Sequence, residues 1–208
     1  LLANELVLKD NQVNVITFGG TDSYEYNTNI NRIRLHDGNI KNHTLRRFLQ
    51  LYKYYKKKEN RPNTIISFLP SVSFVAILIA KIFKINIIVS EHINHLQVGS
   101  TRDQFTRKYL YRFANFTTVL TKFDVDYYQK HGANVVIMPN PCTFHVIYDS
   151  QRTKDNSIVA VGNLDRYHHK GFDNLITIVA PILKKYPDWK LEKPIFWGWL
   201  KQVKLSIK

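Results

Sequence analysis

With 208 residues, 44% of them hydrophobic and 22% charged, the chain can build one well-packed domain or one domain and part of another, and this balance excludes a disordered protein. Against 16 Asp and Glu stand 30 Lys and Arg, a formal charge of +14 that implies an anionic partner: nucleic acid, acidic phospholipid or a phosphate-bearing substrate. A single cysteine, Cys142, excludes an intramolecular disulfide and fits a reducing compartment, so a cytoplasmic location is expected.

The opening Leu1-Leu2-Ala3-Asn4-Glu5-Leu6 has no basic n-region, h-region or cleavage site of a signal peptide, and reads as a helix whose beginning is missing. Gln12–Phe18 reads as a strand and Arg32–Leu35 as a short second one. His43 to Glu59 is helical by the three-and-four spacing of Leu45, Phe48, Leu49, Tyr52 and Tyr55. Thr64–Phe68 is a buried strand, Pro70-Ser71 opens a helix running to Phe83, and Asn86–Ser90 is the next strand. The apolar stretch Ile65 to Val89 is interrupted by Pro70, Ser71, Ser73, Lys81, Lys84 and Asn86, so it reads as buried strands around a helix and not as a membrane span. Arg102–Phe113 is a helix, Phe116–Leu120 a strand, Lys122–His131 a helix and Asn134–Met138 a strand. Pro139-Asn140-Pro141-Cys142 and the polar stretch Ser150–Asn156 then break the pattern; a new strand, Ser157–Val161, and a helix from Phe172 to Tyr186 follow.

Alternating apolar strands and helices at this spacing give an α/β fold with a parallel sheet covered on both faces. The break places a domain from 1 to 141, a linker from 142 to 156, the start of a second domain from 157 to 191, and a tail from 192 to 208 that does not continue the pattern.

Ligands of open parallel sheets bind at the carboxyl ends of strands, so the residues just after each strand are the candidates. Gly19 and Gly20 follow the first strand, where backbone can approach a ligand or simply turn. No G-x-G-x-x-G occurs, which argues against a dinucleotide-binding enzyme. Ser90-Glu91-His92-Ile93-Asn94-His95 is the densest polar cluster at any strand end, able to hydrogen-bond sugar hydroxyls or relay protons; loop histidines that cap the next helix are the competing reading. No Cys or carboxylate completes a ligand set around His92 and His95, with His168 and His169 as distant partners, so no metal is expected. Gly162, then Lys170 and Gly171 opening a helix, form a candidate diphosphate site. The basic run Arg46, Arg47, Lys53, Lys56, Lys57, Lys58 and Arg61 is either a solvated helix face or a surface for an anionic membrane. No helix-turn-helix, RNP, KH or zinc-finger pattern supports a nucleic-acid module, a reading that rests on charge and aromatics alone.

Four segments in order resemble the GT-B glycosyltransferases of the retaining, glycogen-synthase-like group that includes lipopolysaccharide and capsule transferases. They are Leu2–Leu6 with Val13–Thr17, Ile88–His92, Val119–Lys122 with Val136–Pro141, and Val159–Leu164 with Lys170–Ile176. The resemblance implies two Rossmann-like domains, here one and the incomplete start of a second. It implies transfer from a nucleotide-sugar co-substrate to a glycan or lipid-linked acceptor with retention, no further cofactor, and a peripheral place at the inner face of the membrane. It puts Glu91 and His92 in the catalytic cleft, Asn94 and His95 with Gly19 and Gly20 on the acceptor side, and Gly162, Asn163, Lys170 and Gly171 at the donor diphosphate. Asn163 stands where the family has an arginine, so half the phosphate clamp is neutral. The glycine-rich loop expected before Leu1 and the paired glutamates of the donor domain have no counterpart. The resemblance therefore implies a fragment with little activity alone, or an inactive remnant that at most binds acceptor or membrane.

Overall fold

A computed structural model describes residues 1–19, 26–35, 40–97, 99–141, 155–162 and 167–192. The chain divides into two compact units, Leu1–Thr143 and Phe144–Lys208. Gly20, Asn163, the greater part of the expected linker and the tail beyond Glu192 lie outside the described residues.

The first unit opens with α1 (Leu2–Leu8), β1 (Asn14–Thr17) and β2 (Asn31–Arg34), the two strands pairing in parallel. After α2 (His43–Lys56) come β3 (Thr64–Phe68), α3 (Pro70–Phe83) and β4 (Asn86–Ser90). Then follow α4 (Thr101–Phe105), β5 (Phe116–Val119), α5 (Val125–Lys130) and β6 (Val135–Ile137). Strands β3-β4-β5-β6 form one parallel sheet in that order. Consecutive neighbours joined by crossover segments bring every strand's carboxyl end to the same edge.

Helix α3 explains why this core holds. Val75, Ala76, Ile77, Ile79 and Ala80 are buried, and they join Ile87 and Val89 of β4, Val119 of β5, Tyr111 and Tyr128 in one cluster. Burying each large aliphatic side chain contributes about 1.5–3 kcal/mol. Pro70 sits at the first helical turn, where its missing N–H leaves no bond unmade, and Lys84 closes the helix in the left-handed conformation at φ 56°. Its 14 residues span about 21 Å at 1.5 Å each, short of a hydrocarbon core of about 30 Å. Among the described residues no helix is long and apolar enough to cross a membrane.

Three expectations need correction. The expected helix over Arg102–Phe113 is α-helical only to Phe105; it passes into a π-helical segment, Thr106–Leu110, and a 3₁₀ turn, Tyr111–Phe113. Thr106 Oγ1 donates to the Arg102 carbonyl at 2.7 Å, a side-chain bond that competes with the α ladder at the changeover. The basic run is not one uniform face: α2 ends at Lys56, and Lys53, Lys56, Lys57 and Lys58 are exposed, whereas Arg47 and Arg61 fold onto the protein. Arg47 lies over the Phe18 ring, and Arg61 lies over Phe83 while donating to the carbonyls of Tyr55 and Lys56. Arg46 bonds the His43 ring.

The second unit contains β7 (Ser157–Val159), α6 (Tyr167–Lys170), α7 (Phe172–Lys185) and β8 (Lys190–Glu192). Strand β8 pairs in parallel with β7 and corrects the expectation that this unit stops after one strand and one helix. A three-residue strand of alternating exposure has almost no periodic signal of its own; its partner 33 positions earlier decides it (Ser157 opposite Lys190).

Candidate functional site

The loop that follows β4 runs from Glu91 to Gln97 at the carboxyl edge of the four-stranded sheet. Its first residue is not a free acid. Glu91 is buried, with 2% of its surface exposed, and its carboxylate is surrounded by donors. Arg107 Nε donates to Oε2 at 3.0 Å and Nη2 to Oε1 at 3.4 Å; Tyr111 Oη donates to Oε2 at 3.0 Å, and the Ile93 N–H to Oε1 at 3.2 Å. Arg107 spends its remaining Nη1 on the Gln97 carbonyl at 3.0 Å. One guanidinium thus ties the loop at both ends. Burial lowers the basicity of Arg107, but the Glu91 hydrogen bond and charge outweigh it and hold its pKa up; burial, then Glu91, pushes the Tyr111 phenol up, so it stays a donor.

This arrangement gives Glu91 a positioning role, where the sequence reading placed it among the catalytic groups. Its lone pairs are taken, and a buried ion pair with complete hydrogen bonding holds geometry better than it exchanges protons.

His92 differs. It is exposed, and its Nε2 lies 3.0 Å from Ser90 Oγ, which in turn accepts from Thr118 Oγ1 at 2.9 Å. The contact holds the ring through Nε2 and leaves Nδ1 for an incoming group. The Phe68 ring stands 5.6 Å from the imidazole, at the end of β3. The next residue, Leu69, adopts φ 70° and ψ 135°. A leucine there stores about 1–3 kcal/mol of strain, and such strain gathers where a site needs it. A cleft of about 170 Å³ is lined by Glu91, His92, Asn94, Thr121 and Asp124, among others. Asn94 uses its side-chain oxygen on the Leu96 N–H at 2.8 Å, which shapes the loop into a turn.

His95 points elsewhere. Its Nδ1 stands 2.7 Å from Asp124 Oδ1, which also accepts the His95 backbone N–H at 2.9 Å. The ring stacks on Tyr127 at 4.5 Å and 12°. The structure thus brings Glu91, His92, Asn94 and His95 onto one loop with different duties. Gly19 adopts φ +145° beyond β1, with open space where a Cβ would stand.

In the second unit, Gly162 and Lys170 meet. A Cβ on Gly162 would lie 2.9 Å from the Phe172 ring and 3.4 Å from Lys170 Cγ, so packing alone already requires a glycine. Lys170 is exposed, and Gly171 precedes α7 at φ +69°. The first turn of α7 carries its own anion: Asp173, whose pKa is lowered chiefly by the hydrogen bond from His168 and then by the Asn174 N–H. Among the described residues no group of three His, Cys, Asp or Glu could hold a metal.

Sequence reasoning missed Arg107, Tyr111, Thr118, Asp124 and the strain at Leu69. The signal for Arg107 was available: a carboxylate immediately after an apolar strand cannot be buried without a cation.

No protein-family model matches the sequence. Over 177 residues, 81% of this chain, it is 30% identical to the GalNAc-α-(1→4)-GalNAc-α-(1→3)-diNAcBac-PP-undecaprenol α-1,4-N-acetyl-D-galactosaminyltransferase of Campylobacter jejuni. The chain is related to a glycosyltransferase. It spans 48% of that enzyme's length. The fold matches the lipopolysaccharide outer core galactosyltransferase WaaB, with a TM-score of 0.55 at 14% identity, over 80% of this chain and 53% of that one. It also matches the UDP-GlcNAc 2-epimerase of Methanocaldococcus jannaschii, with a TM-score of 0.50 at 12% identity, over 80% and 51%. The α/β fold with its parallel sheet is therefore that of GT-B proteins.

Removing one partner of the buried pair is expected to be far worse than removing both. Glu91→Leu or Arg107→Met alone should cost about 3–5 kcal/mol in urea unfolding, and the double variant should recover at least half of that. Additive losses would show that the pair does not act as a unit.

Proposed function

We propose that the chain carries the acceptor-side half, and the beginning of the donor-side half, of a retaining glycosyltransferase. It would transfer a hexose or N-acetylhexosamine from a nucleotide sugar to a lipid-linked or cell-surface glycan. The observation that carries the proposal is the 30% identity over 177 residues to a transferase whose name gives an undecaprenol-linked glycan as its acceptor. The polar cluster at the carboxyl edge of a GT-B-type sheet supports it, because sugar recognition needs closely set donors and acceptors on a rigid loop. Retention and membership of the glycogen-synthase-like group rest on the resemblance of the four segments.

In this reading His92 orients a reacting sugar hydroxyl through its Nδ1, with Ser90 and Thr118 holding the ring from the Nε2 side. Lys170 supplies positive charge to the leaving diphosphate, and electrostatic stabilisation there lowers the barrier to departure. Gly162 lets the Lys170 stem and the Phe172 ring close in around that point. The transfer assay is done with the chain as it stands and with the chain extended by the remaining half of the Campylobacter enzyme. Each is supplied with UDP-N-acetylhexosamines and an undecaprenyl-diphosphate-linked N-acetylhexosamine acceptor. Transfer by the extended protein is expected, with retained anomeric configuration by NMR and a loss of kcat of roughly 10²–10³ for Lys170→Ala, as for removal of one electrostatic stabiliser. An extended, folded protein that transfers no sugar would contradict the reading.

The four exposed lysines at the end of α2 suit the surface of an anionic membrane, where such an acceptor is anchored, at about 1 kcal/mol per lysine near the surface. Co-sedimentation with phosphatidylglycerol vesicles should therefore be lost on exchanging Lys53, Lys56, Lys57 and Lys58 for glutamate. Unchanged sedimentation would remove the membrane from the account.

A further inference from the structure

A second cleft, larger than the one at His92, has a volume of about 370 Å³, within the range of small-ligand pockets. Its lining includes His95, Gln97, Gln104, Phe105, Lys108 and Tyr127. We propose that it is a saccharide subsite for the stem of the acceptor glycan, with His95 as its recognition residue. The proposal rests on the acceptor reading above and adds to it a place and a residue.

The imidazole is prepared for this by its surroundings. Asp124 is buried at 7% exposure and fixes both the backbone and the Nδ1 of His95 through one oxygen. A carboxylate on Nδ1 makes that nitrogen a donor and leaves Nε2 for a ligand. Tyr127 at 4.5 Å covers one side of the ring, and Phe123 stacks at 5.3 Å. The ring therefore cannot swing, and among the described residues Nε2 makes no hydrogen bond. A fixed, dry-sided ring nitrogen at a cleft suits a hydroxyl or amide of a ligand.

The other linings say which ligand. Arg107 lies in the cleft wall, but its charge is answered by Glu91 and all of its bonded N–H groups are taken by Glu91 and Gln97. Lys108 is drawn over the Tyr109 ring at 5.2 Å. Beside that ammonium the lining is mixed: the amides of Gln97 and Gln104 with the aromatic faces of Phe105 and Tyr127. Phe105 is 48% exposed, an apolar surface tilted against Tyr109 at 5.1 Å. Aromatic faces attract the slightly positive C–H edge of a neighbouring group, and amides serve hydroxyls in both directions. That combination fits a pyranose. The Glu91–Gln97 loop borders both clefts, so a glycan seated at His95 would continue towards His92.

The test is isothermal titration of the 208-residue chain with the methyl glycoside of an α-1,4-linked N-acetylgalactosamine disaccharide. Binding is expected, weakened roughly three- to tenfold by His95→Ala, as for loss of one hydrogen bond. Gln97→Ala, on the exposed rim, should weaken it in the same direction, so the proposal stays testable if His95→Ala does not fold. Inorganic pyrophosphate should not displace the sugar. No binding, equal binding by His95→Ala and Gln97→Ala, or displacement by pyrophosphate would overturn the proposal. The transfer assay separates the two claims. Transfer without disaccharide binding sinks the subsite alone. Disaccharide binding lost in His95→Ala, in a protein that transfers nothing, keeps a saccharide site and sinks the transferase reading.

Discussion

The buried ion pair between Glu91 and Arg107 is the constraint on which the site depends. A carboxylate left at the end of β4 with 2% exposure needs a cation, and Arg107 reaches it from the segment that follows α4. The same guanidinium takes the Gln97 carbonyl, so the seven-residue loop is closed at both ends by one side chain. The pair's net worth to stability is modest, because desolvating two charges offsets much of their attraction. Its value is geometric: His92 and His95 are presented from a loop that has one arrangement.

That presentation divides the chemistry. His92 is held through Nε2 by Ser90, itself bonded to Thr118, on neighbouring strands β4 and β5, whose parallel register places Ser90 opposite Thr118. His95 takes its tautomer from Asp124, in the turn before α5. Two imidazoles three positions apart are thus held through opposite nitrogens, Nε2 at His92 and Nδ1 at His95. Neither role follows from the residue type; each follows from the group on the second nitrogen.

Much of the fold was legible. Strand β3, helix α3 and strand β4 match the sequence reading to the residue, because strands covered on both faces are continuous apolar runs and Pro70 marks the helix start. The π-helical segment was not legible, since it depends on Thr106 bonding back to the Arg102 carbonyl and on Arg107 turning inward. Nor was β8, whose pairing is long-range. In the site, the Glu91–His95 loop stood out as a polar cluster at a strand end. The division of labour within it did not, because Arg107, Tyr111, Asp124 and Thr118 come from distant segments and only packing brings them there. Gly162 was read for a ligand, and the structure gives it a second reason in the Phe172 ring.

The central claim is that Arg107 holds the loop. Amide hydrogen exchange tests it directly, because the N–H groups of Ile93 and His95 donate to Glu91 and Asp124. In Arg107→Met these two amides should lose more protection than those of β4 and β5, whose loss should only follow the drop in global stability, which would show a loop released beyond the general destabilisation of the sheet. Unchanged protection of Ile93 and His95 in a folded Arg107→Met protein would contradict the account, and the loop's geometry would then need another cause.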